Sequence, residues 1–204
     1  SDVYKRQFSD RPLSLNHFLA KELLTQLFES PEVMTSVGLF DDFNWLTQHN
    51  DKLSLGSEDE ALSRHAATLK RRDVLATFEE ASLSPDEQIT LAIAEFDVNN
   101  TIGSFEQFRY HNFPFNQIGG AHLSLVEFMT DLHPINTVQQ AWDFIRRVEQ
   151  FDEISEARLN WLQRQAKQGI YPPDFVFGHV IRQLSELIQF CLLYTSPSPR
   201  DTEV

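Results

Sequence analysis

Helix-start chemistry recurs along this chain more insistently than any other pattern. Ser57 is followed at the third position by Glu60, Ser84 by Glu87 and Thr137 by Gln140. Each pair can form a capping box: the hydroxyl accepts from the third backbone N–H, and the acid or amide reaches back to the cap's own N–H. Ser84 adds Pro85, whose fixed φ suits the first helical position and whose missing N–H costs nothing there. These signals predict three helices. The first carries Leu62, Ala66, Leu69 and Phe78, the second has Ile89, Ile93, Phe96 and Asn100 on one stripe, and the third holds Trp142, Ile145 and Val148.

The rest of the chain reads the same way. Asn16 is expected to cap a helix with Phe18, Leu19, Leu23, Leu27 and Phe28 on one face, ending near Ser30-Pro31. Residues 31–55 read as irregular, with Gly38, Asp41-Asp42 and Asn50-Asp51 as turn chemistry. Ser124 and Glu127 are expected to cap a short helix with Leu125, Phe128 and Met129, closed by Pro134. Asp152 is the expected cap of a helix holding Ala157, Trp161 and Leu162, with Gly169 as its left-handed stop. After Pro172-Pro173 a final helix presents Val176, Val180, Leu184, Leu187 and Ile188. Between Tyr110 and Gly120 the helical pattern stops, punctuated by Pro114, Gly119 and Gly120. The fold class is therefore mainly α: an irregular helical bundle with a loop-rich insertion around 110–122.

Composition narrows what such a bundle can do. Of the 204 residues, 30 are acidic and 17 are Lys or Arg, a formal net charge of −13. Binding to a phosphate backbone needs clustered cations, so nucleic acid is excluded as a partner. The 41% apolar content, with 17 Phe, is enough to bury a core, and a single Cys excludes a disulfide scaffold. No run approaches the ~18 apolar residues that cross a bilayer.

The two ends look like translated sequencing adapter. Asp2-Val3-Tyr4-Lys5-Arg6-Gln7 and Cys191-Leu192-Leu193-Tyr194-Thr195-Ser196 can be encoded by DNA strings that are reverse complements over nearly their whole length. Both strings resemble the transposon end used in tagmentation libraries. Pro197-Ser198-Pro199-Arg200-Asp201 continues as the adapter would, although residues alone also allow an ordinary polar start and a Ser-Pro-rich tail. The expected organisation is thus 1–7 adapter-derived, 8–190 the helical amino-terminal part of a larger domain, and 191–204 adapter-derived.

One segment packs chemistry densely. Tyr110-His111-Asn112-Phe113-Pro114-Phe115-Asn116-Gln117-Ile118-Gly119-Gly120-Ala121-His122 sets His, Asn and Gln among aromatic residues, beside two glycines that allow close backbone approach. Tyr110, His111, Asn116, Gln117, Gly119, Gly120 and His122 are the candidate substrate-cleft residues, with amides suited to a peptide or carbohydrate backbone. A crossing between helices, whose Asn and Gln satisfy turn backbone groups, explains the same residues. His111, His122 and His133 recur every eleven positions near Glu127 and Asp131, but Pro114, the glycines and Pro134 prevent one helix from aligning them. No His-x3-His or His-Glu-x2-His spacing occurs, so these histidines are expected to be satisfied within loops and no metal site is assigned. Nucleophile elbows and P-loops are absent, and no residue is assigned as catalytic.

At this point the sequence resembles a known family. Tyr110 to Thr137, reading YHNFPFNQIGGAHLSLVEFMTDLHPINT, is similar to the bacterial family named only as domain of unknown function 885. Phe144-Ile145-Arg146-Arg147-Val148 resembles that family's helix after the His-Pro turn. Gln168-Gly169-Ile170-Tyr171-Pro172-Pro173-Asp174-Phe175-Val176 resembles its Gly-Ile-x-Pro-Pro-x-Phe-Val signature, and Ser30-Pro31-Glu32, Gly38 and Asp51-Lys52-Leu53 fit its amino-terminal region. The resemblance implies a larger, mostly helical parent whose carboxy-terminal half carries a His-Glu-x-x-Pro-Gly-His motif, similar to zinc metallopeptidases of the thimet-oligopeptidase type. It implies zinc as the parent's cofactor, a peptide as substrate, the missing carboxy-terminal half as partner, and an exported protein or lipoprotein. No position here matches the metal motif, so no catalytic residue is carried over. The other reading is a non-catalytic helical binding or envelope protein that kept the scaffold.

Overall fold

A computed structural model describes residues 14–38, 40 and 47–195, with the backbone alone for 190–195. The chain is mainly α-helical, and no strand occurs among the described residues. The helices are α1 (Leu15–Phe28), α2 (Pro31–Val37), α3 (Glu58–Leu75), α4 (Pro85–Phe108), α5 (Ala121–Glu127), α6 (Val138–Glu149), α7 (Phe151–Lys167) and α8 (Asp174–Thr195). A π-helical turn, Phe128–Leu132, follows α5. Asp41, Asp42 and the expected adapter segment 1–7 lie outside the described residues. The backbone of α8 runs on to Thr195.

The chain divides into two compact units. One is built from residues up to Arg109 together with His133–Leu159, the other from Tyr110–Leu132 together with residues from Asn160 on.

The capping boxes start helices where expected. Ser84 Oγ accepts from Glu87 N while the Glu87 carboxylate accepts from Ser84 N, with Pro85 at the first position. Thr137 accepts from Gln140 N, and Gln140 accepts from Asn136 N instead of from the cap itself. Ser57 accepts from Glu60 N at 3.2 Å, and the Glu60 carboxylate turns back onto the N–H groups of Leu55 and Gly56. Ser57→Ala is expected to cost about 1 kcal/mol, read as a lower denaturation midpoint with an unchanged slope.

Other starts fall elsewhere. Ser14, not Asn16, caps α1 by accepting from His17 N. The stretch after Ser30 is not irregular: Ser30 caps α2, with Pro31 first and Glu32 in the first turn, the same chemistry as at Ser84. Gly38 ends α2 at φ +67. The helix expected from Ser124 starts at Ala121, with Gly120 as cap, because Gly120 carries the extended backbone that precedes it. α7 starts at Phe151, which puts Asp152 in its first turn, where its charge favours the positive helix end. Gly169 does stop α7, at φ +72.

The core of the first unit comprises Leu15, Phe18, Leu75, Leu91, Ala94, Val98 and Ile102, with Leu19, Leu69, Val74, Phe78 and Leu83 against it. α4 therefore buries 91/94/98/102, while the expected stripe of Ile89, Ile93 and Phe96 is exposed. α6 departs further. Trp142, Ile145 and Val148 face outward, and its buried side chains are Asp143 and Arg147.

Candidate functional site

The segment Tyr110–His122 lies in the second unit and is held from beneath by two glutamines. Gln165 on α7, almost wholly buried, donates Nε2 to Tyr110 O at 2.6 Å and to Asn112 O at 3.0 Å. Trp161, one helical turn earlier, places its ring 5.8 Å from that of Tyr110. Gln183 on α8 donates Nε2 to Gln117 O at 3.1 Å, which leaves its amide oxygen to accept from Nε2–H of His122. The buried His122 ring also meets Phe115, 5.7 Å away between centroids. Side-chain amides suit this task because each joins a donor to an acceptor without burying a charge.

The segment's own residues close it. Asn116 Oδ1 accepts from Ile118 N and Gly119 N, and its Nδ2 donates to Phe113 O, a side chain standing in for a turn of backbone. Ala121 N donates to Pro114 O at 2.7 Å and Gly120 N to Asn116 O at 3.2 Å. The two glycines then differ. A Cβ on Gly120 would meet Asn116 N at 2.6 Å and Asn116 O at 2.7 Å, whereas one on Gly119 would meet nothing within 4 Å. Gly120 provides the close approach expected of the pair. The tip is left outside: Ile118 is 85% exposed, beside exposed Gly119, and His111 is exposed at the start.

A second polar centre, not anticipated from the sequence, lies within the first unit. Arg147, fully buried, donates Nε to Lys52 O at 2.9 Å and Nη2 to Thr35 Oγ1 at 2.8 Å and His49 O at 3.0 Å, while Nη1 meets His133 Nδ1. Thr35 Oγ1 also lies 2.9 Å from Asn50 Oδ1. Gln150, a turn further along, accepts from Leu53 N and donates to Asp51 O. Glu32 accepts from both the N–H and the hydroxyl of Ser54. Burial pushes the Arg147 guanidinium down to about 10, with Glu32, Asp143 and Asp51 acting the other way, so it stays charged at neutral pH.

The three histidines are thus distributed. His111 is exposed, His133 meets Arg147, and His122, on α5 and not in a loop, pairs through Nε2 with Gln183. Among the described residues no three His, Cys, Asp or Glu side chains come together to hold a metal ion. No described helix is long and apolar enough to cross a membrane.

A family model described as "Bacterial protein of unknown function (DUF885)" matches residues 31–197. The chain belongs to that family. The DUF885 match opens at the first residue of α2 and takes in both polar centres, the Arg147 cluster and the loop on Gln165 and Gln183. No curated protein and no solved structure matches the chain.

The glutamines that clamp the loop carry one readable signal. Gln165 sits four positions after Trp161 and Gln183 three after Val180, polar residues on otherwise buried helical stripes. A polar side chain on such a stripe has to find partners, and here they are loop carbonyls.

Proposed function

We propose that this chain is the amino-terminal helical scaffold of a zinc-dependent, peptidase-like hydrolase, with the Tyr110–His122 loop as one wall of the substrate cleft. The observation that carries the cleft role is a loop rigidly clamped at its base with a bare tip, Ile118 and Gly119, presented outward. Pre-positioned loops of this kind bind at low entropic cost. Membership in DUF885 supports the scaffold reading, and the peptidase class rests on the resemblance described above. In this reading the zinc ligands and the general base come from further chain, with imidazole and carboxylate holding the ion.

Exposed apolar stripes agree with a surface meant to be covered. They are Ile89, Ile93 and Phe96 on α4, Val138, Trp142 and Ile145 on α6, and Phe175, Phe177 and Ile181 on α8. The 204-residue chain alone is expected to self-associate and bind a hydrophobic dye, by sedimentation and fluorescence. A monomer that binds no dye would count against the scaffold reading.

The chain by itself is also expected to hydrolyse no peptide with added zinc; turnover would overturn the assignment. The positive test extends the reading frame beyond residue 190. A continuation with His-Glu-x-x-Pro-Gly-His and zinc-dependent hydrolysis supports the proposal, and within it Gln117→Ala with Ile118→Ala should lower kcat/KM without lowering Tm.

A second reading is favoured by Asn116, whose amide oxygen and nitrogen both bond within its own turn. A loop whose polar groups serve itself suits a non-catalytic helical binding protein. A continuation of the frame without the metal motif would move the assignment there.

A further inference from the structure

His133 and Arg147 meet in a way that only one protonation state of the ring satisfies. His133 is buried, its Nε2 3.0 Å from Gln140 O. A carbonyl only accepts, so Nε2 carries the hydrogen. Nδ1 faces Arg147 Nη1, which only donates, so Nδ1 presents its lone pair. Protonating Nδ1 would set N–H against N–H beside a charged guanidinium. That guanidinium holds the carbonyls of His49 and Lys52 and the hydroxyl of Thr35.

We propose that the His133–Arg147 contact is an acid-sensitive latch: the neutral imidazole keeps the guanidinium on segment 47–54, and protonation of His133 releases that segment. The surroundings set the sense of the switch. Burial, the largest influence, lowers the His133 pKa below its ordinary value of 6.5; the Gln140 carbonyl opposes, the Arg147 charge lowers it further, and Asp143 opposes. Beyond the guanidinium stand Glu32 on α2 and Asp51 in the segment itself, while Arg146 bridges Asp51 and Asp143 at 3.5 Å from each. Lys52 is exposed, and buried His49 keeps its Nδ1 2.7 Å from Thr47 Oγ1. Because the His133 ring takes up the proton more readily once the contact is released or the chain unfolded, the latch is complete above about pH 6.5. It weakens as pH falls from there to the folded-state value, and changes no further below it.

The test uses the whole chain, by NMR titration of the imidazoles and by hydrogen exchange between pH 7.5 and 5. After correction for intrinsic exchange, opening of the Lys52, Leu53 and Ser54 amides should be level above about pH 6.5 and rise by up to about tenfold per pH unit as the pH falls below it, until the folded-state value is passed. The amides of Leu91 to Ile102 should not follow. His133→Asn, which keeps a non-titrating acceptor for the guanidinium, should flatten the profile, and His133→Gln serves as a second such variant. An imidazole of His133 titrating at 6.5 or above would overturn the latch. So would the same slope in either variant, which would assign it to His49 or another group, or equal loss of protection across Leu91 to Ile102. The wild-type titration decides even if both variants fail to fold.

Discussion

Arg147→Ala is expected to remove about 3–5 kcal/mol of unfolding free energy, the usual cost of deleting one partner from a buried charged network. For a domain stable by only about 5–15 kcal/mol, that is a large share of the total. The side chain is fully buried, and its loss strands acceptors from three separate parts of the sequence. Thr35 lies on α2, the His49 and Lys52 carbonyls precede α3, and His133 precedes α6. Asp143, 2% exposed, would at the same time lose one of the two guanidinium charges near it, keeping Arg146 at 3.5 Å. Arg147→Lys should recover only part of the loss, since one ammonium cannot replace a planar fork facing several acceptors. Arg146→Ala is the control. Its guanidinium is 53% exposed and pairs at 3.5 Å with Asp51 and Asp143, so under about 1 kcal/mol is expected. Urea denaturation with a constant slope measures all three. An Arg147→Ala loss no larger than that of Arg146→Ala would mean that the centre contributes nothing to holding the first unit.

Gly120→Ala is expected to destabilise by about 1–3 kcal/mol through overpacking, while Gly119→Ala is expected to be close to neutral. Backbone dihedrals do not explain the difference, because Gly120 has φ −63 and ψ 156, which alanine adopts freely. The obstacle is contact. The new methyl would sit 2.6 Å from Asn116 N, 2.7 Å from Asn116 O and 2.8 Å from His122 Cε1. Two of those atoms are backbone and cannot swing aside, so the turn must open. Opening it breaks Gly120 N to Asn116 O and Ala121 N to Pro114 O, and shifts His122 from Gln183. Thermal melts of the two variants, compared with wild type, give the check. Equal stability of both would show that the loop relaxes without cost and is not the rigid wall proposed above. The same rigidity gives Gln117→Ala with Ile118→Ala its meaning in a longer protein, since those side chains can change without moving the clamp.

The legible parts of this protein are its local ones. Ser57, Ser84 and Thr137 start helices because a capping hydrogen bond spans three residues, all visible in the string. Ser30 does the same. It was open to the same reading, but the Asp and Asn turn chemistry downstream favoured an irregular stretch. Asn16, Ser124 and Asp152 show the limit of such signals, because a polar residue within two or three positions of a helix start resembles the cap. The punctuation of Tyr110–Gly120 marked a real loop, and its aromatic and amide content marked the residues that now form it.

Helicity and its stops were thus determined by the sequence alone, through hydrogen bonds that close within a turn. Which face of each helix turns inward was decided only by tertiary structure. On α4 the stripes 89/93/96 and 91/94/98/102 are both apolar, and periodicity cannot choose between them; packing on Leu15, Phe18 and Leu75 does. On α6 hydrophobicity points the wrong way. Arg147 goes inside because the carbonyls of His49 and Lys52 and the ring of His133 wait there, groups 14 to about 100 residues distant in sequence, and buried Asp143 accepts from Gln139 and pairs with Arg146. A charged side chain is buried only where partners already converge, and convergence is a property of the folded chain.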